Sequence, residues 1–432
     1  MRPFALHLRR SAYQPFARIT LSYNQAVNPR LALLQPYPFE KLRALLDGVA
    51  PPPGVRPIHL YIGEPQHPTP QFLKDALAAS LGGLAKYPVA KGLPELRAAM
   101  AEWIARRHAL PPVDPETEIL PVAGSREALF SIAQVLLDPA EKDAWVICPN
   151  PFYQIYEGAA ILGGARPWFV NSLARDGFRA DWDSIPESTW RRTRLVYACS
   201  PGNPTGRVMD LEEWRHLFEL SDRHGFTIVS DECYSEIYFD ESSPPLGALA
   251  AAHRLGRAGY PRLVVMESLS KRSNAPGLRS GFAVGDRTVI EKFTLYRTYH
   301  GAALSNTAQL ASVPAWRDEA HVIENRRLYR EKFARFREIV NPVLPLVMPQ
   351  AAFFYWAAVP GGDDPAFARD LFAATGVQVL PGRYLSREAH GIDPGRGFVR
   401  LALVSTVEET DEAARRLAEF VRCRHSQTSS IA

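Results

Sequence analysis

The chain has 432 residues, enough for two folded units in place of one small core. Its 46% hydrophobic and 22% charged content is ordinary for a globular protein, and a net charge of +4 is too slight to argue for a nucleic-acid partner or an anionic membrane surface. Cys148, Cys199, Cys233 and Cys423 are widely spaced with no CxxC pair, which speaks against a disulfide framework or a metal site. No apolar run approaches the ~20 residues of a membrane span, so the expectation is a cytoplasmic protein.

The first 39 residues carry no acid, while Arg2, Arg9, Arg10, Arg18 and Arg30 are basic. Such a composition can mark a transit peptide. The preferred expectation is a disordered or mis-started extension over residues 1–27. A short helical segment, Pro38–Leu46, falls within residues 28–55 and should pack with the smaller unit. Pro51–Gly54 reads as a connector to the main sheet.

From about residue 56 short apolar runs alternate with longer amphipathic ones, the pattern of an α/β fold. Candidate strands are Ile58–Ile62, Ile119–Val122, Ala144–Cys148, Leu195–Cys199, Thr227–Ser230 and Leu263–Glu267. Helical spacing marks Leu93–Arg107, Arg126–Leu137 and Leu211–His224. After about Tyr299 comes a long charged helix, Asp318–Val340, then a strand at Phe353–Ala358 and a further helix–strand set. Residues 56–300 therefore read as a large domain with a mostly parallel, doubly wound sheet, and 301–432 as a smaller α/β domain.

Ligands of doubly wound sheets bind beyond the carboxyl ends of the strands. Three candidate strands in succession end in reactive-looking residues: Ser200–Gly206, Asp231–Tyr234, and Ser268–Lys271 followed by Arg279. Lysine forms a reversible imine with an aldehyde once its pKa is depressed. A lone loop lysine is usually only solvated, but Lys271 has company. A pyridoxal phosphate ring needs a carboxylate behind its nitrogen, and Asp231 ends an apolar strand. Tyr234 and Asn203 could donate to the cofactor's phenolic oxygen, although Asn-Pro-Thr-Gly is also ordinary turn chemistry. Ser125 and Arg126 open a helix whose N–H groups could meet a phosphate, with Ser268, Ser270 and Arg279 closing the cradle. Tyr153 could stack on the ring.

With these residues assembled, the chain resembles the class I/II aminotransferases, the fold-type I pyridoxal phosphate enzymes, from about Arg30 to Arg422. NPTG and DExY are moderately specific alone. Joined in order by SxSK with an arginine eight residues on, they are highly specific. The resemblance implies a pyridoxal 5′-phosphate enzyme in which Lys271 is the Schiff-base lysine, Asp231 the ring-nitrogen partner, and Tyr234 and Asn203 the phenolate ligands. It implies phosphate contacts at Ser125, Arg126, Ser268 and Arg279, and ring stacking by Tyr153. Tyr87 matches a tyrosine that reaches the phosphate of a neighbouring subunit, which implies a homodimer. Arg400 matches the α-carboxylate arginine, and Gly63 a backbone contact to the same group. Cys233, and the Gly-Ser-Arg turn at 124–126, depart from the commoner residues without removing a needed function.

Ser268–Phe282 and Tyr296–Gly301 are similar to the N-succinyldiaminopimelate aminotransferases of bacterial lysine biosynthesis, a branch of that family. That likeness implies ping-pong transfer between amino acid and 2-oxo acid substrates, with a second cation for a distal carboxylate. Arg383 is the first candidate for it; Arg272, Arg297 and Lys91 are others. Alternatives are an aspartate or aromatic aminotransferase, or a carbon–sulfur β-lyase. A pyridoxal phosphate-binding transcriptional regulator is remote, because too few residues precede the family-like region for a DNA-binding module.

Overall fold

Alternate residues of the central apolar runs point to opposite faces, and both faces are buried. Val196, Ile228 and Val265 enter one core with Trp103, Trp214 and Trp316. Leu195, Val229 and Val264 enter another with Tyr156, Tyr197 and Phe293. A strand buried on both sides belongs to a sheet with helices on both faces. That is the arrangement in the computed structural model, which describes residues 27–429. The extension expected over residues 1–27 lies, but for Val27, outside the described residues.

Among the described residues the strands are β1 (Ile58–His59), β2 (Ile119–Val122), β3 (Trp145–Asn150), β4 (Arg166–Asn171), β5 (Thr193–Cys199), β6 (Thr227–Asp231), β7 (Leu263–Ser268), β8 (Gly281–Gly285), β9 (Phe354–Ala358), β10 (Val377–Gln378), β11 (Leu380–Pro381) and β12 (Phe398–Ala402). The large sheet runs β2-β8-β7-β6-β5-β3-β4, and only β8 is antiparallel to its neighbours. The chain leaves β3 outward to β4 and returns on the other side at β5. This reversal creates a crevice at the carboxyl ends of β3 and β5.

Local chemistry explains the helices that cover the sheet. The helix Leu211–His224 opens with a reciprocal cap between Asp210 and Glu213 and stops at Gly225, whose φ of 78° suits glycine. Tyr329, Phe333 and Phe336 of the long helix Ala320–Val340 pack on β9 and β12 in a separate core, which also takes Tyr234 from beyond β6. We propose the division at residues 28–55, 56–300 and 301–432 as the domain boundaries. It is supported by this second core and by Leu42 of the helix Pro38–Leu45, which packs with Trp356, Leu380 and Leu385. No helix among the described residues is long and apolar enough to cross a membrane.

Three expectations need correction. The run Ile58–Ile62 is a strand only over Ile58–His59, and it pairs with β10 and not with the large sheet. Beyond it the Leu60 N–H still meets the Gln378 carbonyl at 2.9 Å, and the Tyr61 carbonyl accepts from Arg400. The helix expected over Arg126–Leu137 is divided at Ile132 into Ser125–Ser131 and Ala133–Leu136. Asp318 ends the preceding helix Asn306–Arg317, so the long helix begins at Ala320. The strands β4 and β8 were not singled out from the sequence.

Candidate active site

Lys271 lies in the short helix Leu269–Arg272 directly after β7. Its Nζ donates to the Gly63 carbonyl at 2.5 Å and sits 5.5 Å from the Phe353 ring centroid. Burial brings its pKa down to about 8, and the Arg400 and Arg126 charges push the same way against Cys233 and Glu64. A lysine so tuned carries more free amine near neutral pH than an ordinary lysine does.

Asp231 closes β6 and is 2% exposed. Its Oδ2 accepts from the Tyr156 hydroxyl at 2.7 Å and its Oδ1 from the Cys233 N–H at 3.3 Å. Burial raises its pKa, while the Tyr156 and Cys233 hydrogen bonds and the Lys271 charge pull it back. Tyr156 was not singled out from the sequence. The available signal was its position three residues after Tyr153, at the start of the helix Ile155–Leu162. Its ring stacks on Tyr197 at 4.6 Å, which fixes the hydroxyl's direction.

Arg400, on β12, is 4% exposed and lacks a carboxylate partner among the described residues. Its Nη1 donates to Asn203 Oδ1 at 2.9 Å and its Nη2 to the Tyr61 carbonyl at 2.8 Å, while Nε is buried without a partner. Burial lowers its pKa to about 10. A guanidinium desolvated without a counter-ion is a site prepared for an anion. Tyr234 is buried edge-on against Phe353 and Phe354, and burial pushes its hydroxyl pKa well up.

The phosphate-cradle candidates lie at the start of the helix Ser125–Ser131 and in the segment after β7. Gly124 precedes Ser125 with φ of 86°, and a Cβ there would stand 2.3 Å from Arg279 Nη2. Arg279 donates to the carbonyls of Pro276 at 2.8 Å and Ala123 at 3.3 Å. Ser268 Oγ accepts from the Ser270 N–H at 3.1 Å and lies 2.9 Å from Ser270 Oγ. Arg126 turns its side chain to Tyr153, with Nε donating to the hydroxyl at 2.5 Å. Tyr87 is fully exposed on this chain.

Arg383 is not brought into this cluster. Its Nε and Nη2 grip Asp364 at 2.9 and 2.8 Å, and that carboxylate is fully buried. Arg272 is likewise held by Glu319 and the Ala315 carbonyl, Arg297 by Glu127, and Lys91 by Glu116. Each of these cations already has its carboxylate, so none is available to a substrate in this arrangement.

A buried acid for a protonated ring nitrogen, a lysine of lowered pKa for an aldehyde and a glycine-lined arginine cradle for a phosphate fit pyridoxal 5′-phosphate on the fold-type I transferase scaffold. Residues 56–417 match the family of aminotransferase class I and II, and the chain belongs to it. It is an aminotransferase dependent on pyridoxal phosphate.

Among solved structures, an aminotransferase from Neisseria meningitidis is 52% identical, with a TM-score of 0.89 over 92% of this chain and 100% of that one. A probable N-succinyldiaminopimelate aminotransferase from Thermus thermophilus is 29% identical, with a TM-score of 0.76 over 88% of this chain and 98% of that one. An LL-diaminopimelate aminotransferase from Dehalococcoides mccartyi is 31% identical over 374 residues, 85% of this chain and 92% of its own.

Proposed function

We propose that the chain transfers the amino group between 2-oxoglutarate/glutamate and N-succinyl-LL-2,6-diaminopimelate, with ping-pong kinetics. When bound, pyridoxal phosphate supplies an aldehyde for the substrate amine and a ring that withdraws electrons from the substrate Cα. Lys271 holds the cofactor and then moves the Cα proton. General acid–base help of this kind contributes roughly 10²–10⁴ in rate. Asp231 keeps the ring nitrogen protonated, Tyr234 and Asn203 donate to the phenolic oxygen, and Tyr153 stacks on the ring. Ser125, Ser268, Ser270 and Arg279 hold the phosphate. Arg400 and the backbone at Gly63 hold the α-carboxylate so that the Cα–H bond stands near Lys271.

One observation carries the substrate class. Beside Arg400, Arg126 is a second guanidinium close enough to act on the Lys271 charge, and it has no carboxylate partner among the described residues. Its interacting neighbours are Tyr153, Tyr37 and Tyr234. Arg126 therefore replaces Arg383 as the contact for a distal carboxylate, beyond the phosphate role first expected of it. Two guanidinium groups without carboxylate partners favour substrates with at least two carboxylates. A homodimer, with Tyr87 reaching the neighbouring phosphate, accounts for the exposure of that tyrosine beside Leu84 and Val89.

A second reading, unsuccinylated LL-diaminopimelate, is favoured by the names of the relatives and by Glu64, a carboxylate felt by Lys271 that could meet a distal ammonium. The test is the absorption spectrum of the holoenzyme mixed with each compound in turn. Conversion of the cofactor to its amine form by the succinylated substrate supports the proposal. A response to glutamate and to free diaminopimelate alone transfers it to the second reading.

A further inference from the structure

One side-chain amide outside the residues named above ties together the two segments that place Lys271. Asn325 is 2% exposed on the helix Ala320–Val340. Its Nδ2 donates to the Lys271 carbonyl at 3.3 Å, and its Oδ1 accepts from Asn274 Nδ2 at 3.0 Å. The carbonyl can only accept, which fixes which way the amide points. Oδ1 also lies 2.7 Å from His67 Nδ1, so the imidazole proton must be on Nδ1. Burial, with the Lys332 charge, brings the His67 pKa down to about 4, and the ring is neutral under working conditions.

The connected residues matter for the site. His67 follows Gly63 by one short loop, and the Gly63 carbonyl is the acceptor for Lys271 Nζ. Asn274 follows Lys271 by three residues, and Thr69 Oγ1 adds a bond to its carbonyl at 2.6 Å. A single buried amide thus bonds the lysine segment at Lys271 and Asn274 and the Gly63 segment at His67, from a helix that contributes neither. The same helix carries Tyr329, which stacks on Phe353 beneath Nζ.

We propose that Asn325, with His67, is a positioning residue for Lys271, fixing the segment that carries the lysine against the segment that carries Gly63. The inference rests on the reading of Lys271 as the cofactor lysine. Loosening this tie admits water to Nζ, and water favours the charged form. The titratable and charged groups facing Nζ, namely Arg400, Arg126, Glu64, Cys233 and Asp231, are left in place by changes at Asn325 or His67.

The experiment is a pH titration of the visible absorbance of the holoenzyme for wild type, Asn325→Ala and His67→Ala, with steady-state kinetics on the same preparations. The expected result for Asn325→Ala is a midpoint raised by about half a pH unit or more, kcat lower by about 10-fold and KM within about 3-fold. His67→Ala should move the midpoint the same way by less, and it serves if Asn325→Ala does not fold. Folded variants with the wild-type midpoint and kcat, and only a lower Tm, overturn the proposal. Lys271→Ala runs alongside as a control: full turnover there overturns the reading of the lysine and this inference with it. A dead Lys271→Ala beside an unaltered Asn325→Ala overturns this inference alone.

Discussion

The Tyr156 hydroxyl donates to Asp231 Oδ2 at 2.7 Å across 75 residues of sequence, and both groups are fully buried. The carboxylate would otherwise depend on one longer bond from the Cys233 N–H. Tyr156→Phe removes the donor and keeps the stacked ring. An unmade hydrogen bond to a buried acceptor costs about 1–3 kcal/mol. Asp231 then takes a proton more readily and holds the ring nitrogen less well. The expected outcome is a cofactor dissociation constant raised about 10-fold, read by fluorescence titration of the cofactor-free protein. An unchanged constant removes Tyr156 from the site.

Arg400 makes stability and activity move in opposite directions. Its guanidinium is desolvated without a carboxylate, so Arg400→Met should leave Tm unchanged or raise it. The same change removes the proposed α-carboxylate contact and should raise KM for amino and oxo acids alike, by a factor corresponding to about 2–5 kcal/mol. Thermal unfolding and kinetics on one preparation check both halves.

Gly124→Ala tests the cradle. A methyl at φ of 86° is strained, and it would overlap Arg279 Nη2. The expected loss is about 1–2 kcal/mol of stability, with weaker cofactor retention on dialysis. Gly225→Ala serves as the comparison: its φ is 78°, but no atom lies within 4 Å of the added Cβ, so cofactor retention should not change.

Lys332 should make stability rise with pH. It is fully buried, donates to the Ser405 carbonyl at 2.9 Å, and burial brings its pKa from 10.5 down to about 7. Between those two values the unfolded chain binds the proton and the folded chain does not. Raising the pH therefore favours the folded state by up to about 1.4 kcal/mol per unit, and below pH about 7 the contribution is flat. Lys332→Met should abolish that slope in Tm measured from pH 7 upward. A slope that survives the substitution assigns it to another group.

Arg126→Gln tests the contact proposed for a distal carboxylate. Arg126→Gln should weaken glutarate binding by about 10-fold or more and leave a monocarboxylate such as butyrate within about 2-fold. Equal losses for both, with weaker cofactor binding, would return Arg126 to the phosphate.

The sequence by itself determined the residues that stand at strand ends. Asp231 closes β6 and Tyr234 follows it, Lys271 follows β7, Asn203 follows β5, and each lies at or within a few residues of a short apolar run that reads as a buried strand. A strand aims its terminal residues at one edge of the sheet, so short-range spacing sufficed to gather them. What only the tertiary structure decided was every contact between distant segments. Lys271 meets Gly63 across 208 residues, and Arg400 meets Asn203 across 197 and Tyr61 across 339. The partner of β1, the pairing of Arg383 with Asp364, and the amide of Asn325 beneath Lys271 belong to the same class. An arginine's local sequence is alike whether a buried carboxylate holds it or it waits for a substrate. Folding makes that choice, because only packing fixes which charges are desolvated side by side.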